Sequence, residues 1–234
     1  MLNHVFLPVF GIICIINFGF STNKLSNMNK IKLNFINHSN DANNSSIVIF
    51  QQNVADSFNA YPIAWTVIQN CGQGDNHPFT FSANVTVAAG DSYGNYTPQI
   101  SAYEGQAFEM VKSASGDILQ VSSTPASSAM EVEIKNHLQM GAISGNCYRD
   151  GKLFATKHGI APGQKAVFQF KPTIWIGIVS QVEQGEVMNA AIVSEINTEI
   201  NLLGISSADI VMTGGGPGPS ATPFAFTLQN VEMA

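Results

Sequence analysis

From Phe79 to Val87 every odd residue is apolar, and every even one is Thr, Ser or Asn. Successive side chains of a strand point to opposite faces, so this segment has one dry face and one wet face. The same two-residue period recurs at Ile31–Phe35, Met130–Ile134, Ala166–Phe170, Glu195–Leu202 and Phe224–Leu228. An amphipathic helix needs its apolar residues every three to four positions, and this chain rarely supplies them. Two runs, Ile47–Phe50 and Ile174–Val179, are apolar at nearly every position, which suits strands covered on both faces. The expectation is an all-β protein, an antiparallel β-sandwich, built as two small sandwich lobes packed in tandem.

Turn chemistry divides the strands. Asp150-Gly151, between Tyr148 and Leu153, supplies the positive φ angles of a tight type I′ hairpin. Ser115-Gly116-Asp117 separates two shorter strands, and Gly214–Ser220 is a glycine- and proline-rich loop. Thr124–Ser128 is the best linker, so the expected lobes are residues 28–124 and 129–234. A short helix fits Gln181–Asn189. Asn37-His38 and Asn136-His137 each close the first strand of a half. Ala88-Ala89-Gly90 before Pro98 resembles Ala161-Pro162-Gly163 before Pro172. Either an old duplication or the recurrent turn grammar of β-proteins produces such echoes.

Charge narrows the partners. Charged residues make up 11% of the chain, against about 25% in an average soluble domain. Ten Lys and Arg against sixteen Asp and Glu leave a net charge of −6. Nucleic acid is excluded, because phosphate binding needs clustered cations and none occurs. The same shortage speaks against polybasic attachment to anionic lipid, and membrane contact has no other support.

Val5–Phe20 is apolar except for Asn17 and carries no charge. At sixteen residues, interrupted by Pro8, it is shorter than the roughly 20 of a membrane helix. It fits the core of a signal peptide, with Gly19-Phe20-Ser21 as a cleavage site, although MLNH lacks the usual basic residue. A start at Met28 would instead make residues 1–27 a mis-annotated leader. The first reading places the protein outside the cell or on its surface, and the second in the cytoplasm. Cys14 leaves the count in both cases. Cys71 and Cys147 then form the disulfide candidate of an exported chain, with two unpaired thiols as the alternative. Sequons at Asn37, Asn43, Asn44, Asn84 and Asn95 matter only on a eukaryotic secretory route.

No motif demands a particular chemistry. The glycine-rich Gly214–Pro219 lacks the Lys-Ser/Thr of a phosphate loop. Glu131, Glu133, Glu195 and Glu199 fall on the expected wet faces of strands. Two loops offer ligand-binding residues. One holds Asp75, Asn76 and His77. The other holds Tyr93, Asn95 and Tyr96, where exposed rings beside amides suit carbohydrate stacking. The sequence thus points to a non-enzymatic protein of recognition or assembly, without cofactor or metal. Its partners are a glycan or protein ligand, and a homo-oligomer fits the weakly charged surface. Two alternatives are a pore-forming sandwich and a metal-dependent enzyme around Asp75 and His77.

Overall fold

A computed structural model describes residues 30–41, 45–55, 62–196 and 198–234. The leader at 1–27, with Cys14, and the sequons at Asn43 and Asn44 lie outside the described residues. The chain is all-β. Its strands are β1 (Lys30–Asn37), β2 (Ser46–Phe50), β3 (Thr66–Ile68), β4 (Asn76–Ser82), β5 (Val85–Gly90), β6 (Ile100–Ala102), β7 (Ala107–Ser113) and β8 (Gly116–Val121). There follow β9 (Val132–Asn136), β10 (Ile143–Arg149), β11 (Lys152–Ile160), β12 (Lys165–Phe168), β13 (Thr173–Val179), β14 (Thr198–Asn201), β15 (Ile205–Gly215) and β16 (Thr222–Met233). Among the described residues one α-helix, α1 (Ala190–Glu195), precedes β14, and a 3-10 turn spans Gly218–Ser220.

Four four-stranded sheets form, in the orders β16-β15-β1-β4, β14-β13-β2-β3, β11-β10-β5-β6 and β12-β9-β7-β8. The first two share strands from 30–82 and 173–233, and make one sandwich. The last two use only 85–168, and make a second. The pairing therefore does not follow a division at 124–129. Residues 124–128 lie inside the second sandwich, where the Ala126 N–H donates to Gly105 O and the Ser127 N–H to Glu133 Oε1. The chain crosses between sandwiches twice, at 82–85 and at 168–173. The first crossing splits the clearest alternating segment of the sequence at Ala83-Asn84.

The two sandwiches match strand for strand. Replacing β1–β4 by β9–β12, and β13–β16 by β5–β8, converts the sheet orders of one into those of the other. The parallel pair β1/β15 answers to the parallel pair β7/β9. Asn37 lies opposite Met212, and Asn136 lies opposite Met110. The local bonds agree as well. Asn37 Nδ2 donates to Cys71 O at 2.7 Å, and Asn136 Nδ2 donates to Ile160 O at 2.8 Å. The Gly74 N–H reaches Asn37 O, and the Gly163 N–H reaches Asn136 O. Both glycines hold positive φ, +87° and +79°. Asn37-His38 and Asn136-His137 thus occupy matching places, but Ala88–Gly90 and Ala161–Gly163 do not.

The doubly apolar runs have their explanation in the layers. Ile47 and Ile49 of β2, with Ile174 and Ile176 of β13, face the main core. Val48, Phe50, Trp175 and Val179 face a second cluster completed by Val182, Met188, Ile192 and Ile196. The helix and its flanks cover the outer face there. The helix starts at Ala190, later than expected, because Asn189 caps it: its side chain accepts the Ile192 N–H at 3.0 Å. Close packing demands glycine at 177, where a Cβ would stand 2.9 Å from Ile196 Cγ2. The Asp150-Gly151 hairpin forms as expected, with φ of 51° and 76°.

Candidate functional site

The two crossings run side by side between the sandwiches, and one residue from each sandwich pins them. Arg149 ends β10. It continues the inward-facing row of Gly145 and Cys147, and so enters the interior. It is the only arginine of the chain. It is 4% exposed, and its guanidinium lies between the rings of Phe81, at 4.3 Å, and Phe154, at 4.8 Å. One amino nitrogen donates to Ser82 O on the first crossing, and the other to Gln51 Oε1 at 2.8 Å. The Arg149 carbonyl accepts from Trp65 Nε1 at 3.3 Å. Gln51, just past β2, donates to Lys171 O and Thr173 O on the second crossing, each at 3.0 Å.

These residues are partners under the strand correspondence. Ile49 pairs with Ile176 where Cys147 pairs with Val87. Two residues further on, Gln51 therefore answers to Arg149. Phe81 answers to Phe170, Trp65 to Phe154 and Ser82 to Lys171, each 89 residues apart. The Arg149–Gln51 bond thus joins equivalent positions across a local two-fold axis.

A cleft of about 550 Å³ opens at this axis. Its floor is Gln51, Phe81, Val132, Cys147, Arg149 and Phe168, and its rim carries Asn84, Tyr103, Glu104, Met130, Lys171 and Pro172. Arg149 can donate five hydrogen bonds and makes two. Its Nε is buried without a partner. Among the described residues no carboxylate forms an ion pair with it. Burial, which disfavours the charged form, brings its pKa down to about 10, against a smaller upward pull from Asp150 and Cys147. It stays a cation at neutral pH. A buried, uncompensated cation facing an apolar cleft can hold an anion.

Comparison with protein-family models, with curated proteins and with solved structures finds no match.

The residues singled out from sequence lie elsewhere. Asp75, Asn76 and His77 are exposed where the chain enters β4. Asp75 Oδ2 accepts the Gly72 N–H at 3.0 Å, which closes the turn. Tyr93, Asn95 and Tyr96 occupy the β5–β6 loop of the other sandwich. Asp91 organises that loop: its Oδ1 accepts from the Tyr93 and Asn95 N–H groups, and its Oδ2 from Asn95 Nδ2 at 2.9 Å. These bonds, led by the Asn95 side chain, hold the Asp91 carboxyl below its ordinary pKa. Tyr93 is 89% exposed, whereas the Tyr96 ring packs over Gly90. The bonds of each set stay within its own loop and its neighbours. Among the described residues no group of three or more His, Cys, Asp or Glu stands together as a metal set.

Cys71 and Cys147 are free, buried thiols. Cys71 sits in the turn bound by Asn37, in the first sandwich, and Cys147 in the middle of β10, in the second. Burial pushes both thiols up in pKa, Cys147 the further. Among the described residues no helix is long and apolar enough to cross a membrane. In the sequence the Asp150-Gly151 turn stands out, and Arg149 beside it does not. Its signal was present: a lone arginine two residues after Cys147, on the same face of the strand as that apolar side chain.

Proposed function

We propose that this is a non-enzymatic recognition protein of the cell surface or exterior, and that its ligand occupies the cleft around Arg149. One observation carries the reading: a charged guanidinium is buried at the cleft floor with donors to spare and, among the described residues, no ion-pair partner. Burying an ion costs several kcal/mol unless partners compensate it. The two ring contacts offset about 1–2 kcal/mol each, which leaves room for a ligand to contribute the rest. The matching strand orders support a second element of the reading. The chain is a duplicated eight-strand unit in which the first four strands of each half pair with the last four of the other. The axis site is a product of that exchange, because Gln51 and Arg149 come from different halves.

The test is native mass spectrometry of the full chain purified from its own host, before and after denaturation. A small molecule released in one-to-one amount, and absent from Arg149→Gln, is the expected result. A chain that carries nothing, and whose melting temperature no compound of a broad anionic and neutral panel raises, would overturn the reading.

The Tyr93 loop favours a second reading. Its exposed ring stands on a turn held rigid by Asp91, as a sugar-stacking platform requires. A glycan array read with the wild type and with Tyr93→Ala tests it, and equal signals from both would refute it.

A further inference from the structure

The local two-fold axis contains its own control. Gln51 and Arg149 hold equivalent places and make equivalent bonds: Gln51 to Lys171 O, and Arg149 to Ser82 O. The neutral amide ties down its crossing with two bonds of 3.0 Å and is 2% exposed. The architecture therefore does not need a charge at this position, yet one of the two equivalents carries it. Lys171, the counterpart of Ser82, adds a second cation at the rim, and Glu104 is the acidic residue that also lines the cleft. The remaining walls are largely apolar, with Phe81, Val132, Phe168 and Phe170 prominent.

Building on the cleft reading, we infer that the ligand is an amphiphilic carboxylate, with its anionic head on Arg149 and its apolar body against the phenylalanines. A planar carboxylate matches the planar fork of a guanidinium, and low local polarity strengthens the pairing. The Gln51 amide beside it is already engaged, its Nε2 donating to Lys171 O and Thr173 O and its Oε1 accepting from Arg149. A ligand without a charge would leave the arginine as uncompensated as before, and a cation would be repelled.

The experiment is isothermal titration calorimetry of the full chain with decanoate, decanol and decylammonium, repeated on Arg149→Gln. Decanoate is expected to bind one-to-one, at least tenfold more tightly than decanol, with decylammonium weaker still. Arg149→Gln copies the arrangement already present at Gln51, so it is expected to keep the wild-type circular dichroism while losing decanoate affinity at least tenfold. Equal binding of decanoate and decanol by the wild type, or an unchanged affinity in folded Arg149→Gln, would overturn the anion assignment and leave the cleft reading standing. Should none of the three bind, and the host-purified chain release no molecule either, both would fall. The decanoate-to-decanol comparison needs no variant, so it decides even if Arg149→Gln does not fold.

Discussion

Removing the side chain of Asn136 or Asn37 is expected to cost about 3 kcal/mol each. Asn136 makes three bonds, the second fully buried and the others partly: Nδ2 to Gly141 O at 2.9 Å and to Ile160 O at 2.8 Å, and Oδ1 from the Leu138 N–H at 3.0 Å. Asn37 also makes three: Nδ2 to Cys71 O at 2.7 Å, and Oδ1 from the Ser39 N–H at 2.9 Å and from Ser39 Oγ at 2.6 Å. A net contribution of about 1 kcal/mol per bond gives about 3 kcal/mol for either alanine variant. Carbonyls stranded in the interior add to this. The two sites lie in different sandwiches and share no partner, so the double variant should cost about 6 kcal/mol. That is a large share of the 5–15 kcal/mol typical of native proteins. Urea unfolding followed by fluorescence measures all three. A cost under about 1 kcal/mol for either single variant, with the other near 3 kcal/mol, would refute the claim that the two asparagines do the same structural work.

Three further outcomes follow from the packing. Gly177→Ala places a methyl 2.9 Å from Ile196 Cγ2 and should destabilise by about 1–3 kcal/mol; a neutral effect in thermal unfolding would mean the segment after α1 is not held against β13. Glu133 is buried, which raises its pKa, but Lys165 at 2.6 Å and Ser127 outweigh this and set it at about 2, against 4.5 unperturbed. Its contribution is therefore complete above pH 4.5 and is lost as the pH falls through 2, so Glu133→Gln should flatten the acid limb of stability against pH, and an unchanged limb would contradict the pairing. Alkylation followed by mass spectrometry should label Cys71 and Cys147 only after denaturation and without reductant, and labelling that requires a reductant would show a disulfide instead.

Local signals in the sequence carried far. Alternation located most strands, and Asp150-Gly151 located the hairpin, because both act through neighbouring residues. The runs at Ile47 and Ile174 announced coverage on two faces, which the helix supplies. The helix itself was displaced in the sequence reading because its cap, Asn189, sits beyond an apolar stretch whose Val182 and Met188 pack without being helical. Glu195–Leu202 alternates throughout, yet only 198–201 pairs with β13, since the helix takes Glu195 and Ile196 is spent against Gly177. Pairing partners were out of reach: β1 has the same dry face whether β4, β8 or β15 lies beside it. The pairing of β1–β4 with β13–β16 was therefore invisible, and with it the crossing inside Phe79–Val87. Ala-x-Gly words carry no register, which is why Ala88 and Ala161 misaligned where Asn-His did not. The cleft was hidden for the same reason, because it exists only where the two crossings meet.

The most direct test of this architecture is a protease site inserted after the exposed Thr124, cut in the native protein, followed by gel filtration. Strand exchange predicts that the two fragments elute together at the mass of the uncut chain and separate only in denaturant. Two folded fragments separating in native buffer, each closing its own sandwich, would contradict it.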